Sequence, residues 1–210
     1  MSELTLHYDE VAARLARAAE EDGRPADEVR LLAVSKTFPA EMIRELYEHG
    51  VRMFGESRAP ELAEKAAALP ADIEWHFIGR LQANKVRKVV QLARVIHSVD
   101  SPELLARIDR IAGEEGRRPV VLLEVNVSGE ASKAGVPVGE LEPFARRAAV
   151  LPNVDFRGFM TMAPFEAEPF RIAAIFELLK LTRDELEVKL NRRLPILSMG
   201  MSGDFEIAAR

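Results

Sequence analysis

Three observations predict an α/β fold of the (β/α)8-barrel kind. Apolar runs of strand length alternate with helical patterns along the chain, so successive strands run parallel and are joined by helical crossovers. No G-x-G-x-x-G follows the first strand, where an open dinucleotide-binding sheet would place it; SKTFPAEM stands there instead. The carboxyl ends of the runs bring Lys36, Glu56, Gly79, Asp100, Asn126, Thr161 and Ser202 together at the one mouth where a barrel gathers its active groups.

The elements follow in order. A first helix is predicted over His7–Glu21, where Val11, Leu15 and Ala18 recur at helical spacing until Gly23 and Pro25 stop it. Strands are predicted at Val29–Lys36, Arg52–Ser57, Glu74–Gly79, Val95–Asp100, Pro119–Val127, Asp155–Met162 and Ile196–Ser202. Helical patterns lie between them at Ala40–His49, Ala59–Ala68, Ala83–Leu92, Pro102–Glu115, Val138–Leu151 and Pro169–Leu190. No Gly- or Ser-rich linker divides the chain, so residues 1–210 read as one domain.

Composition narrows the function classes. With 48% hydrophobic residues in 210 and no cysteine, the chain has material for an ordinary core and needs no disulfide, as in a reducing compartment. No run approaches the ~18 apolar residues of a membrane span, and MSELTLHYDE is too acidic and polar for a secretory signal, so a cytoplasmic protein with no membrane partner is expected. A net charge of -5 and a pI of about 5.6 argue against nucleic-acid binding. The basic run RLQANKVRK, Arg80–Lys88, reads as a solvated helix face. No long apolar surface stripe stands out, which favours a monomer.

The most informative segment is LLAVSKT, Leu31–Thr37. It reads as a buried strand that ends on a lysine. Lys36 either snorkels to water or, partly desolvated, loses proton affinity and becomes an amine able to attack an aldehyde. The last strand leads into SMGMSGDFEIAAR, where Ser202 and Gly203 precede a helical pattern beginning at Asp204. That arrangement binds anions at a helix start, or uses Ser202 as a cap. In EWHFIG, His76 and Ile78 share one strand face and Trp75 and Phe77 the other, so His76 is either a core histidine or a mouth residue. Glu56 in FGES reads as a structural brace, and Lys133, in the loop Ser128–Gly135, reads as solvated.

Taken in order, LLAVSKT, FGES, EWHFIGRLQANK, VNVSGEASKAG, RGFMTMA and LSMGMSGDFEIA resemble the pyridoxal phosphate homeostasis proteins, the YggS/PROSC group. The resemblance implies a barrel like the N-terminal domain of alanine racemase, with pyridoxal 5'-phosphate (PLP) held as a Schiff base on Lys36. It further implies that Ser202 and Gly203 bind the phosphate and that His76 and Met160 line the cofactor pocket. The implied function is buffering and delivery of PLP, with PLP-dependent apoenzymes as partners and no robust catalysis. The alternative is a small PLP-dependent racemase or lyase using Lys36 as base. Against it, the second acid/base group of an alanine racemase comes from an added domain for which these residues leave no room. Two departures stand out. The family's asparagine after F-G-E is Ser57 here, and the eighth strand, of pattern R-x-G-x-x-x-F-G, is missing from the chain. If the chain ends at Arg210, an open seam between the first and seventh strands and a weakened phosphate site are expected; a continuation that carries this strand would close the barrel and complete the phosphate site.

Overall fold

Every predicted run forms a strand and every predicted pattern a helix in the computed structural model, which describes residues 2–130, 133–164 and 166–210. The strands are β1 (Ala33–Val34), β2 (Met53–Glu56), β3 (Glu74–Phe77), β4 (Val95–Val99), β5 (Val120–Asn126), β6 (Val136–Pro137), β7 (Asp155–Met160) and β8 (Ile196–Ser198). Helix α1 (Glu3–Glu21) precedes them. Crossovers are made by α2 (Ala40–Glu48), α3 (Ala59–Ala68), α4 (Val86–Leu92), α5 (Pro102–Glu114), α6 (Leu141–Val150) and α7 (Pro169–Leu190), and α8 (Phe205–Ala209) follows β8. The sheet order is β1-β2-β3-β4-β5-β7-β8 with every pairing parallel, and β6 pairs only with β5. This is an incomplete (β/α)8 barrel of the kind the sequence predicts.

Local chemistry accounts for the boundaries. Ser2 caps α1 by accepting from the Thr5 N–H at 3.2 Å, so that helix starts earlier than its apolar repeat. β1 shrinks from the predicted Val29–Lys36 to two residues because it is an edge strand, paired on one side only, with Ala33 opposite Phe54 and Val34 opposite Gly55. Gly158 in β7 has φ +147°, and a Cβ there would lie 1.9 Å from the Ile196 carbonyl oxygen. Glycine is required at this close strand approach.

The core has two layers. Phe54, Trp75, Phe77, Ile96, Phe156 and Phe159 pack outward against helix residues such as Leu62, Val89, Leu105 and Leu179. A second cluster, Val95, Val120, Leu122 and Met160 with Ile196, contains strand residues alone and so fills the barrel interior. Among the described residues no strand pairs β1 with β8, as expected. The helical layer nonetheless closes. Leu15 and Ala18 of α1 pack on Ala209 of α8, Arg14 donates twice to Glu206 at 3.0 Å, and Arg24 donates to the Ala209 carbonyl at 2.7 Å. Covering a sheet edge with a helix is a usual way to tolerate it.

The ground for expecting a monomer, the lack of an apolar surface stripe, does not hold. Helix α7 turns Phe170, Leu178, Leu181 and Val188 to solvent, with Phe170 77% and Val188 82% exposed. An apolar surface stripe therefore exists. The sequence hid it because α7 is apolar on two faces, which leaves no helical periodicity to read.

Candidate functional site

Lys36 sits on a tight turn just beyond β1 and is exposed, so of its two readings the structure gives the lysine that reaches water rather than the partly desolvated amine. The physical reason is the edge position of β1: no neighbouring strand walls off that side. Among the described residues the Lys36 amine has no ionic partner. What distinguishes it is the frame beneath it. Thr37 adopts φ +71°, a conformation costly for a β-branched residue and typical of strained functional turns. Its N–H donates to Glu61 at 2.6 Å. Lys65, 5% exposed, donates to Glu61 (2.6 Å), to Glu56 (2.7 Å) and to the Ser35 carbonyl (2.7 Å), while the Ser35 hydroxyl donates to Glu56 at 2.7 Å. Glu56 is thus a brace, as read from FGES, although its Oε2 is a buried atom without a hydrogen-bond partner. Sequence spacing could have flagged Lys65 only through Glu61, its partner four residues earlier on α3.

Across the open seam, β8 leads into the turn that carries Ser202 and Gly203, both exposed. The capping reading of Ser202 does not hold: Asp204 takes the N-cap position of α8, without a side-chain cap bond, and it braces the preceding turn, its carboxylate accepting the Met201 N–H and its own N–H donating to the Met201 carbonyl at 3.0 Å. That leaves the Ser202 hydroxyl with no partner among the described residues. A Cβ added at Gly203 would meet nothing within 4 Å, so the backbone there is open to a ligand. Lys36, Ser202 and Gly203 therefore share the carboxyl-end mouth, at the two edges of the sheet. Lys133, expected in solvent, is half-buried on its turn, and residues 131 and 132 of that loop lie outside the described residues.

His76 and Met160 lie inside the barrel, both buried. Met160 stands opposite Ser198 in the β7–β8 register and belongs to the interior cluster. His76 faces inward, as alternation predicts, but its ring is committed: Nδ1 lies 2.8 Å from His97 Nε2 and Nε2 lies 3.2 Å from Glu74. His97 Nδ1 is in turn 2.7 Å from the Ser198 hydroxyl. One tautomer of each ring satisfies this chain, with Ser198 donating to His97, His97 to His76, and His76 to Glu74. Burial lowers the pKa of both rings, that of His97 to about 3, so both are neutral. His97 belongs to no motif, and Ser198, although it opens the SMGMS segment, acquires its role only from the three-dimensional pairing.

Glu124, the fifth residue of β5, is a buried carboxyl that the sequence reading missed. Its pKa is raised to about 7, chiefly by burial and then by Asp100, against the opposing charge of Arg80. The neutral carboxyl therefore contributes stability that is complete below the usual carboxylate range and is lost as pH rises through about 7. Wild-type protein is therefore expected to lose about 2 kcal/mol relative to Glu124→Gln between pH 5 and pH 8, read by urea unfolding. His97 acts oppositely, its contribution being lost as pH falls toward about 3. Equal pH slopes for the two proteins would show that Glu124 is solvated.

The sequence and its parallel barrel fold match known proteins. The family model for the alanine racemase N-terminal domain matches residues 6–209. The pyridoxal phosphate homeostasis protein of Aquifex aeolicus is 43% identical, covering 94% of this chain and 87% of that protein. The protein of the same name from Pseudomonas aeruginosa is 42% identical over 99% of this chain and 89% of its own length. Among solved structures, PipY of Synechococcus elongatus PCC7942 with PLP bound is 39% identical, covers 92% of each chain and superposes with a TM-score of 0.81. An alanine racemase of Clostridium difficile, at 16% identity, shares the fold with a TM-score of 0.73, covering 85% of this chain and 47% of that one. The chain belongs to the alanine racemase N-terminal-domain family, within its group of pyridoxal phosphate homeostasis proteins.

Proposed function

We propose that this protein binds PLP on Lys36 and serves as a carrier that buffers the cofactor and delivers it to PLP-dependent apoenzymes, without robust catalysis of its own. The observation that carries the reading is the strained turn at Thr37, which a buried ion network holds beneath an otherwise unpartnered amine. The residues fit the cofactor: Lys36 offers a nucleophilic nitrogen, and Ser202 and Gly203 offer a free hydroxyl and accessible backbone for a phosphate. When bound, PLP supplies an aldehyde that an amine captures reversibly. Met160 provides apolar wall, and His76 acts behind it by fixing His97 and hence the Ser198 hydroxyl.

The carrier role is supported by the names of the relatives and by the exposure of Lys36. An amine open to solvent exchanges its cargo readily, whereas proton abstraction needs a water-excluded site with a second acid/base group. A chain without cysteine suits the reducing cytoplasm, the setting in which we place this carrier. Among the described residues no helix is long and apolar enough to cross a membrane. The rival reading, a small racemase or lyase with Lys36 as base, draws on Glu124 as a carboxyl that titrates near neutrality. Turnover of an amino-acid panel by PLP-loaded protein, lost in Glu124→Gln, would favour that rival.

Ser202→Ala separates phosphate binding from structure. Loss of one hydrogen bond to a charged oxygen is expected to weaken PLP by about 1.5–3 kcal/mol and to leave pyridoxal, which lacks the phosphate, unaffected. Equal losses for both ligands in a fluorescence titration would remove Ser202 from the phosphate site.

A further inference from the structure

The end of the barrel opposite Lys36 is also hollow. A cavity of about 320 Å³ opens among the first residues of five strands, Glu74, Val95, Val120, Asp155 and Ile196. Its floor is apolar, made by Val95, Val120 and Ile196, with the buried imidazoles of His76 and His97 beside them. Three guanidiniums, from Arg30, Arg94 and Arg157, stand around it. A pocket of this size, with an apolar base and a few convergent polar groups, is at the small end of the range that holds organic ligands.

The charges of the cavity are unevenly committed. Asp155 lies between Arg157 at 3.7 Å and Arg192 at 3.4 Å, and Glu74 accepts from His76 at 3.2 Å. Arg30 and Arg94 make no ion pair among the described residues, although paired arginines recur over the rest of the surface. Both imidazoles are neutral, so positive charge in the cavity belongs to the arginines alone. Guanidinium groups present planar, paired donors that match carboxylate and phosphate oxygens.

We propose that this amino-terminal cavity is a second ligand site, distinct from the Lys36 mouth, which takes a small organic anion: its carboxylate or phosphate meets Arg30 and Arg94, and its apolar body rests on Val95, Val120 and Ile196. The site does not depend on PLP binding at Lys36. The two ends of the barrel are separated by the interior cluster around Leu122 and Met160.

Phenyl phosphate combines the two required features, with phenol and inorganic phosphate as probes of each alone. Titrated at constant ionic strength and neutral pH into the isotopically labelled protein, it is expected to shift the amides of residues 30, 74–76 and 94–97 saturably. Arg30→Gln/Arg94→Gln is expected to raise the midpoint about tenfold or more, Ser202→Ala to leave it unchanged, and phenol and inorganic phosphate each to bind more weakly. Both arginines are exposed, so the double variant should keep the native spectrum; if it does not, Arg94→Gln alone is expected to raise the midpoint by a smaller factor. Shifts confined to residues 199–204, shifts that never saturate, or an unchanged midpoint in the arginine variants would overturn the proposal. A separate failure of PLP to attach to Lys36 would leave it intact.

Discussion

Lys65→Met is expected to lower the unfolding free energy by about 3–5 kcal/mol, the largest effect of any single change to the turn that carries Lys36. The cause is a stranded charge. Glu56 is fully buried, its Oε2 already lacks a hydrogen-bond partner, and its Oε1 accepts from Lys65 and from Ser35. Without the ammonium, a carboxylate remains in the interior with one hydroxyl to solvate it. Removing both charges in Glu56→Gln/Lys65→Met should recover most of the loss, because a buried pair contributes less than the penalty of breaking it. The site should suffer with the fold. Lys65 also holds the Ser35 carbonyl and the Glu61 carboxylate that accepts the Thr37 N–H, so PLP affinity should fall in the single variant even where it remains folded. Urea unfolding at neutral pH reads the first effect and a PLP titration the second. A loss below about 1 kcal/mol would mean that water reaches Glu56 and that the network is not a brace.

Lys36→Ala is expected to do the reverse: stability unchanged within about 0.5 kcal/mol, and borohydride-reducible attachment of PLP abolished. An exposed side chain without ionic partners contributes little to folding, so loss of attachment in this variant cannot be assigned to unfolding. Residual non-covalent binding is expected through Ser202 and Gly203, weakened together with any turn geometry that Thr37 and Glu61 impose. Retained reducible cofactor would move the attachment to another lysine, and Lys133 on the loop after β5 is the next candidate.

Much of this was legible in the sequence, for identifiable reasons. The alternation of apolar runs and helical patterns placed β2 to β5, β7 and β8 within a few residues, and α3 and α7 at their observed bounds, because buried parallel strands and crossover helices must be apolar at fixed periods. β1 was overextended because its sequence is as apolar as that of a central strand, whereas its length is set by what pairs with it. β6, two residues long, is too short to carry a period. The site divided along the same line. Lys36, Ser202 and Gly203 announce themselves at strand ends. Lys65, His97 and Glu124 do not, since a helix lysine, a strand histidine and a strand carboxylate acquire meaning only from partners distant in the chain. Lys36 could be read from the sequence either as reaching water or as partly desolvated, and the edge position of β1, which an apolar run does not reveal, decides for water.

The central claim is that Lys36 is the residue to which PLP attaches. Its most direct test is mass spectrometry of the PLP-treated, borohydride-reduced protein, as the intact chain and as peptides. One phosphopyridoxyl group per chain, on the peptide that contains Lys36 and absent from the Lys36→Ala protein, is the expected result; an unmodified Lys36 peptide beside a modified one elsewhere, or no stable adduct at saturating PLP, would contradict the account.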